Sequence, residues 1–293
     1  MDDLSSSEAK TVFTAAQASG HSFHRIGAPR LWTIDLVEVW DYRALILLLA
    51  WRSIRVRYKQ TILGLLWALI APVAFTAMFV LFFSLLPVRP SGDLPYVPVA
   101  FAGMILWQFF SRGVTEAGVS LTANANLITK IYFPRVILPL AAAVSSLTEL
   151  LVTFVMLLVL LLFYDVPIGP MILVVPALIM HVFILVVGFG LWLAAIDGLF
   201  RDLRHAMPLL LQLGMFISPV AYTTSALVPT EWHWLYNINP MVVPLEGFRW
   251  ATIAGASAPA GGDIAISLLV TVVIFCSGAM FFARVERKVV DLV

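Results

Sequence analysis

Long apolar stretches separated by short polar ones run from about residue 63 to the end of the chain. A helix rising 1.5 Å per residue needs roughly 20 apolar residues to cross a hydrocarbon core about 30 Å thick. Four stretches meet that length outright: 63–86, 136–163, 171–196 and 264–283. A fifth, 97–111, is short and reaches a spanning length by running through Arg112 to about residue 120, with a polar inner end. A sixth, 207–226, is long enough but carries Pro208 and Pro219, which predicts a kinked span. The pattern predicts an all-α integral membrane protein with six transmembrane helices.

The polar stretches carry patterns of their own. Over 36–59, Leu36, Trp40, Leu47, Trp51, Ile54 and Tyr58 recur at helical spacing among too many charges to cross a bilayer. This predicts an amphipathic helix lying flat on the inner leaflet, with Arg52, Arg55, Arg57 and Lys59 at anionic head groups. A plain topological anchor and a grip on substrate or partner both fit it. Residues 123–135 predict a short cytoplasmic helix that stops before Pro134. Its apolar side chains Leu127, Ile128, Ile131, Tyr132 and Phe133 suggest a protein contact. The 227–263 connection holds Trp232, Trp234, Tyr236, Phe248 and Trp250, interrupted by Asn239-Pro240 and Pro244. It predicts a re-entrant hairpin of two short helices dipping into the outer leaflet, the alternative being an interfacial aromatic belt.

Composition agrees: 61% of residues are hydrophobic and 12% charged, against about a quarter charged in a soluble domain. Charge placement adds orientation. With the N-terminus inside, the inner segments hold eight, three, two and three basic residues, 16 of the 18, leaving only Arg89 and Arg249 outside. Both termini are therefore expected in the cytoplasm. Residues 1–30 lack the apolar core of a secretion signal and are expected to form a disordered cytoplasmic arm. The interface-helix region then covers 31–62 and the transmembrane domain 63–293. A single cysteine, Cys276, excludes an intrachain disulfide.

Much catalytic chemistry is missing from the sequence. There is no G-x-x-x-x-G-K-[ST] phosphate loop, so the chain is not expected to hydrolyse ATP by itself. His21, His24, His181, His205 and His233 show no metal-ligand spacing, and no Ser or Cys sits in a nucleophile motif. Catalytic and metal sites are expected to be absent. Among acidic, basic and histidine side chains, the four full-length stretches hold only Glu149 and His181. Glu149 is a functional candidate by its position, with a hydrogen bond to a neighbouring helix or a place facing a wet pore as the alternatives, and His181 reads as a packed or hydrogen-bonded residue.

The run Trp51-Arg52-Ser53-Ile54-Arg55-Val56-Arg57-Tyr58-Lys59-Gln60-Thr61-Ile62-Leu63-Gly64-Leu65-Leu66-Trp67, followed by Pro72, resembles the opening of permease subunits of type-2 ABC exporters of polysaccharides, the O-antigen and teichoic-acid export group. An Asn-Leu-Ile-x-Lys-x-x-Phe-Pro-Arg loop of that family matches Asn126 to Arg135. Further matches are Arg201-Asp202, Ser218-Pro219-Val220, Asn239-Pro240 and Gly247-Phe248-Arg249. The landmarks extend from about residue 40 to the C-terminus and do not single out one cargo.

The resemblance implies a homodimer joined to two copies of a separate ATP-binding subunit, which would bind the ATP and Mg. The pair would export a lipid-linked glycan across the bacterial inner membrane. By the same resemblance Asn126, Leu127, Lys130, Tyr132 and Phe133 would form a coupling helix against the ATPase. The interface helix would lie where the lipid head group enters, with Arg52, Arg55, Arg57 and Lys59 reading a pyrophosphate, and the 231–250 hairpin would gate the outer end. Phe75, Phe79, Phe82, Phe83, Trp107, Phe109 and Phe110, with Glu149, are candidates for lining the channel; lipid contact is the alternative for each aromatic ring. Teichoic acid, capsule, a lipo-oligosaccharide or a drug are alternative cargoes. An integral-membrane glycosyl- or acyltransferase would need paired acidic residues or a His/Asp site, and the sequence displays neither.

Overall fold

The computed structural model describes residues 36–59, 66–130, 133–200 and 202–290. The expected N-terminal arm lies outside them. The first helices are α1 (Leu36–Asp41) and α2 (Arg43–Tyr58), followed by the long apolar helices α3 (Trp67–Ser84) and α4 (Tyr96–Gly118). Two single-turn pieces, α5 (Ser120–Ala123) and α6 (Ala125–Ile128), lead into α7 (Ile137–Phe163). A 3-10 turn at Ile172–Val174 opens α8 (Val175–Leu199), and α9 (Leu203–Ile217) follows. Then come α10 (Thr224–Leu227), α11 (His233–Tyr236), α12 (Val242–Thr252) and α13 (Gly261–Val290).

Five of these helical runs are long and apolar enough to cross a membrane: α3, α4, α7, α8 with its preceding turn, and α13. The sixth expected span differs. Instead of one kinked helix over 207–226, α9 is an apolar helix of 15 residues that ends where Ser218 adopts extended backbone. Pro219 explains the stop, because the residue before a proline is pushed out of the helical region. Pro208 is accommodated inside α9, where it cannot donate to the carbonyl one turn earlier.

The core is built around α4, which is buried along most of its length and packs against α7 and α8. Helix α13 packs along α8 at close range: a Cβ on Gly278 would stand 2.4 Å from the Gly188 carbonyl oxygen. Small residues at that crossing let two backbones meet, the usual packing device between helices in lipid. By contrast α3 and α13 leave most of their apolar surface exposed. Helix α7 is terminated by Asp165 at φ 51°, a left-handed position that aspartate tolerates, just ahead of Pro167.

The helical region 36–58 has two faces, and the expected stripe divides between them: Ile54 and Tyr58 are half-buried, while Trp40, Leu47 and Trp51 are exposed. Leu49 and Ala50 are buried, with Tyr42, Leu45 and Ile46 packed beside them against the core, and α2 lies along α7. Trp40, Leu47 and Trp51 point away from the protein, and the guanidinium groups of Arg43 and Arg55 lie over the Trp40 and Trp51 rings at 5.4 and 5.6 Å.

Candidate functional site

Three polar assemblies stand out in this apolar bundle. The first is a closed ring of charge where α2 meets α4 and α7. Arg57 Nη1 donates to Glu149 Oε1 at 3.0 Å, and Arg57 Nη2 donates to Glu116 Oε1. Arg112 closes the ring with Nε to Glu116 Oε1 at 2.9 Å and Nη1 to Glu149 Oε2 at 2.6 Å. The Tyr58 hydroxyl donates to Glu149 at 2.7 Å and the Ser145 hydroxyl to Glu116 at 3.2 Å. Two guanidinium groups and two carboxylates cancel, so the assembly carries no net charge into the low dielectric. Burial alone would lower the Arg57 pKa, but Glu116 and Glu149 outweigh it and hold the guanidinium above its ordinary value. Burial, reinforced by the bond to Glu149, pushes the Tyr58 phenol up to about 12. A cavity of about 40 Å³ adjoins the ring, bounded by Trp67, Gln108, Phe109, Arg112, Ser146 and Glu149 among others.

Arg57 therefore separates from the other expected head-group residues. Arg52, Arg55 and Lys59 are exposed, whereas Arg57 faces inward and is neutralised inside the chain. Glu149 is bound by three partners at the edge of that cavity. Sequence reasoning missed Arg112 and Glu116 as partners. The i, i+4 spacing of the pair was a usable signal.

The second assembly lies beside the expected coupling segment. Asp197 near the end of α8 is almost fully buried, and its carboxylate takes Nε and Nη2 of Arg204 at 2.7 and 3.1 Å. The Thr122 hydroxyl on α5 donates to the same carboxylate at 2.6 Å. One buried aspartate thus joins α5, α8 and the first turn of α9. No motif marked it.

In the expected coupling segment the described helix α6 ends at Ile128. Asn126 and Lys130 are exposed and Leu127 is half-buried, while Ile131 and Tyr132 lie outside the described residues. Phe133 is 5% exposed and packs in the chain's own core, a correction to its expected place on a docking surface. An aromatic ring next to Pro134 finds a filled apolar site under the loop, and burying it there is more favourable than leaving it in water.

The third assembly is centred on Arg249 of α12, 1% exposed. Its Nε donates to the Val99 carbonyl at 3.1 Å and Nη1 to that of Tyr222 at 3.0 Å. Nη2 donates to the carbonyls of Pro219 and Val220, both at 2.6 Å. The backbone break after α9 leaves carbonyls with no helical partner, and the guanidinium satisfies them. Glu246 stands 3.6 Å from Arg249 and accepts from the Thr224 amide and hydroxyl at 2.7 and 2.9 Å. Asn239 donates to the Ser218 hydroxyl at 2.9 Å. The space is tight: a Cβ on Gly103 would lie 2.1 Å from the Val220 carbonyl oxygen.

The expected gate residues split accordingly. Trp232 and Trp234 are exposed, and Tyr236 shares a 2.7 Å hydrogen bond with Tyr222. Phe248 is fully buried, edge-on to Phe154, and Trp250 is half-buried. In place of a hairpin of two half-membrane helices, the segment holds single turns and the 11-residue α12, whose residues are mostly buried.

Of the expected channel aromatics, Phe82 is exposed and Phe75 and Phe83 are half-buried. Phe79, Trp107, Phe109 and Phe110 are buried in the single chain. Phe79 meets Phe216 edge-on, and Trp107 and Phe110 pack on each other, with Phe110 against Phe189.

The profile of one known family, the ABC-2 type transporter, matches residues 44–253, which takes in all three assemblies. The chain belongs to this family. Among the relatives of this ABC-2 type transporter protein is the O-antigen export system permease protein RfbA of Myxococcus xanthus, 26% identical over 251 residues, 85% of this chain and 96% of that protein. A protein of the same name from Klebsiella pneumoniae is 26% identical over 200 residues, 68% of this chain and 76% of its own length. The polysialic acid transport protein KpsM of Escherichia coli is 23% identical over 241 residues, 80% and 91% of the two chains.

Proposed function

We propose that this ABC-2 type transporter protein is the permease subunit of an ATP-driven polysaccharide exporter. The observation that carries the reading is the character of its relatives: the similar proteins are named as permeases of O-antigen export or as a polysialic acid transporter, along most of the chain's length. Two copies form a channel for a lipid-linked, O-antigen-like glycan across the bacterial inner membrane. Energy comes from two copies of a separate ATP-binding subunit that carries ATP and Mg, because the sequence lacks a phosphate loop.

In this reading the chain crosses six times, α9 and the extended break after it making the fifth crossing, with both termini in the cytoplasm. The bias of basic residues supports that orientation. Asn126 in α6 and Lys130 just after it, both exposed, meet the ATP-binding subunit together with Leu127. Arg52 and Arg55 of α2 and Lys59 just after it are exposed and face the pyrophosphate or anionic lipid head groups. The exposed apolar faces of α3 and α9 adjoin the second copy or lipid, with Phe82 and Phe75 the rings best placed to meet a passing sugar.

Co-expression with an ATP-binding subunit encoded beside it, followed by extraction in mild detergent, tests the proposal. A two-plus-two complex that hydrolyses ATP is the expected result. A chain that purifies alone and lacks any such partner overturns it.

A further inference from the structure

Helix α9 is held at its two ends and little in between. Of its 15 residues only Met207 and Met215 are buried, and Leu209, Leu210, Leu213, Phe216 and Ile217 are exposed in the single chain. Where α9 passes Trp107 it presents Gly214, whose missing side chain leaves a smooth contact: a Cβ there would stand 3.1 Å from the ring. At the inner end Arg204 is clamped by two hydrogen bonds to Asp197, which also takes the Thr122 hydroxyl from α5, just ahead of the expected coupling segment. At the outer end the chain leaves α9 through Ser218, and Arg249 grips the carbonyls of Pro219, Val220 and Tyr222 within the next few residues. At 1.5 Å per residue the helix is about 22 Å long, most of the thickness of a hydrocarbon core.

An element anchored by charge-assisted bonds at both ends and weakly interlocked along its sides moves as a unit when either anchor moves. We infer that Asp197 and Arg249 are positioning residues that make α9 a connecting rod between the cytoplasmic coupling segment and the outer α10–α12 region. The inference deepens the exporter reading and rests on it for the direction of use: displacement of α5 and α6 by the ATP-binding subunit is carried through Asp197 to the outer closure. Because coupling between two sites is reciprocal, loosening either anchor loosens the other end.

Hydrogen exchange on the full-length permease in detergent, without the ATP-binding subunit, tests the rod independently of the exporter reading. In the Asp197→Asn protein the outer amides of Val220 and Thr223, which donate to Ser218 and Pro90, exchange about tenfold faster, the mark of an easier local opening. Amides of α7, which no anchor bond touches, keep the native rate. In the reciprocal Arg249→Lys protein, the inner amides of His205 and Ala206 speed up by a similar factor. Acceleration confined to residues near 197–206 in Asp197→Asn overturns the rod, and this arm stands alone if the Arg249 variant does not fold. In the assembled complex, Asp197→Asn continues to hydrolyse ATP while export is lost, and Asp197→Glu recovers part of it. Export unchanged in Asp197→Asn overturns the role in transport. If the wild-type complex neither hydrolyses ATP nor exports, the exporter reading has failed and the exchange result still decides the rod.

Discussion

Arg57 and Glu149 lie 92 positions apart in the chain and meet at 3.0 Å. The contact ties the helix that precedes the first span to the middle of a helix two spans later. It also gives one basic residue of the 52–59 cluster a role different from its neighbours.

That difference predicts opposite outcomes for neighbouring substitutions. Arg57→Gln leaves Glu116 and Glu149 with one guanidinium between them, in a site where their side chains are 24% and 13% exposed. A loss of about 2 kcal/mol is expected, below the cost for a fully buried pair because the ring is partly wet. Thermal unfolding in detergent reads it, and an unchanged midpoint would show that the ring is slack.

Replacing Arg52, Arg55 and Lys59 together with Gln is expected to leave thermal stability unchanged, since all three are exposed. Export should fall, with about 1 kcal/mol of attraction to an anionic surface lost per charge. Quantifying exported glycan at equal protein level decides it. Full export by the triple variant would mean that these charges only orient the chain.

At the coupling segment, stability and partner binding should separate. Phe133→Asp puts a carboxylate into a filled core site and is expected to cost about 3–5 kcal/mol, with poor accumulation of the protein. Lys130→Glu with Asn126→Ala, both exposed, should preserve folding and weaken co-purification with the ATP-binding subunit. Undiminished co-purification would place the docking surface elsewhere.

Arg249→Lys keeps the charge but replaces a planar fork with a point donor, which cannot reach four carbonyls on two segments at once. About 2–4 kcal/mol of stability is expected to be lost, the cost of stranding one or two buried carbonyls. Gly103→Ala attacks the same junction by volume, its Cβ falling on the Val220 carbonyl oxygen and the Arg249 guanidinium. Comparable destabilisation of both variants in a thermal assay checks the account. Native stability in either would show that the junction relaxes freely.

The long apolar runs were legible because crossing length is a local property, which a count along the chain captures. The runs at 136–163 and 171–196 emerge as helices within a few residues of their expected bounds. Periodicity also found helix over 36–58 but assigned its apolar stripe without knowing which face a neighbour would cover. Tyr42, Leu45, Ile46 and Leu49 pack inward, and Trp40, Leu47 and Trp51 face out. Both stripes are apolar, so no hydrophobicity argument could choose between them. The landmark triplets Ser218-Pro219-Val220 and Gly247-Phe248-Arg249 were visible as strings of residues. Their shared purpose, a guanidinium satisfying the carbonyls of a broken helix, required both strings in one place.

The helical, membrane-spanning class, the bias of the basic residues and the lack of a phosphate loop could be read along the chain, because each depends on residue type and run length alone. Which charges are exposed and which are neutralised came from the packing of the helices. Arg52 and Arg57 are chemically alike and five residues apart, yet one is exposed and the other is neutralised by carboxylates from two distant helices. The reason is physical: an ionised group in a low-dielectric interior is tolerable only beside its opposite, and which groups stand side by side is set by how helices pack.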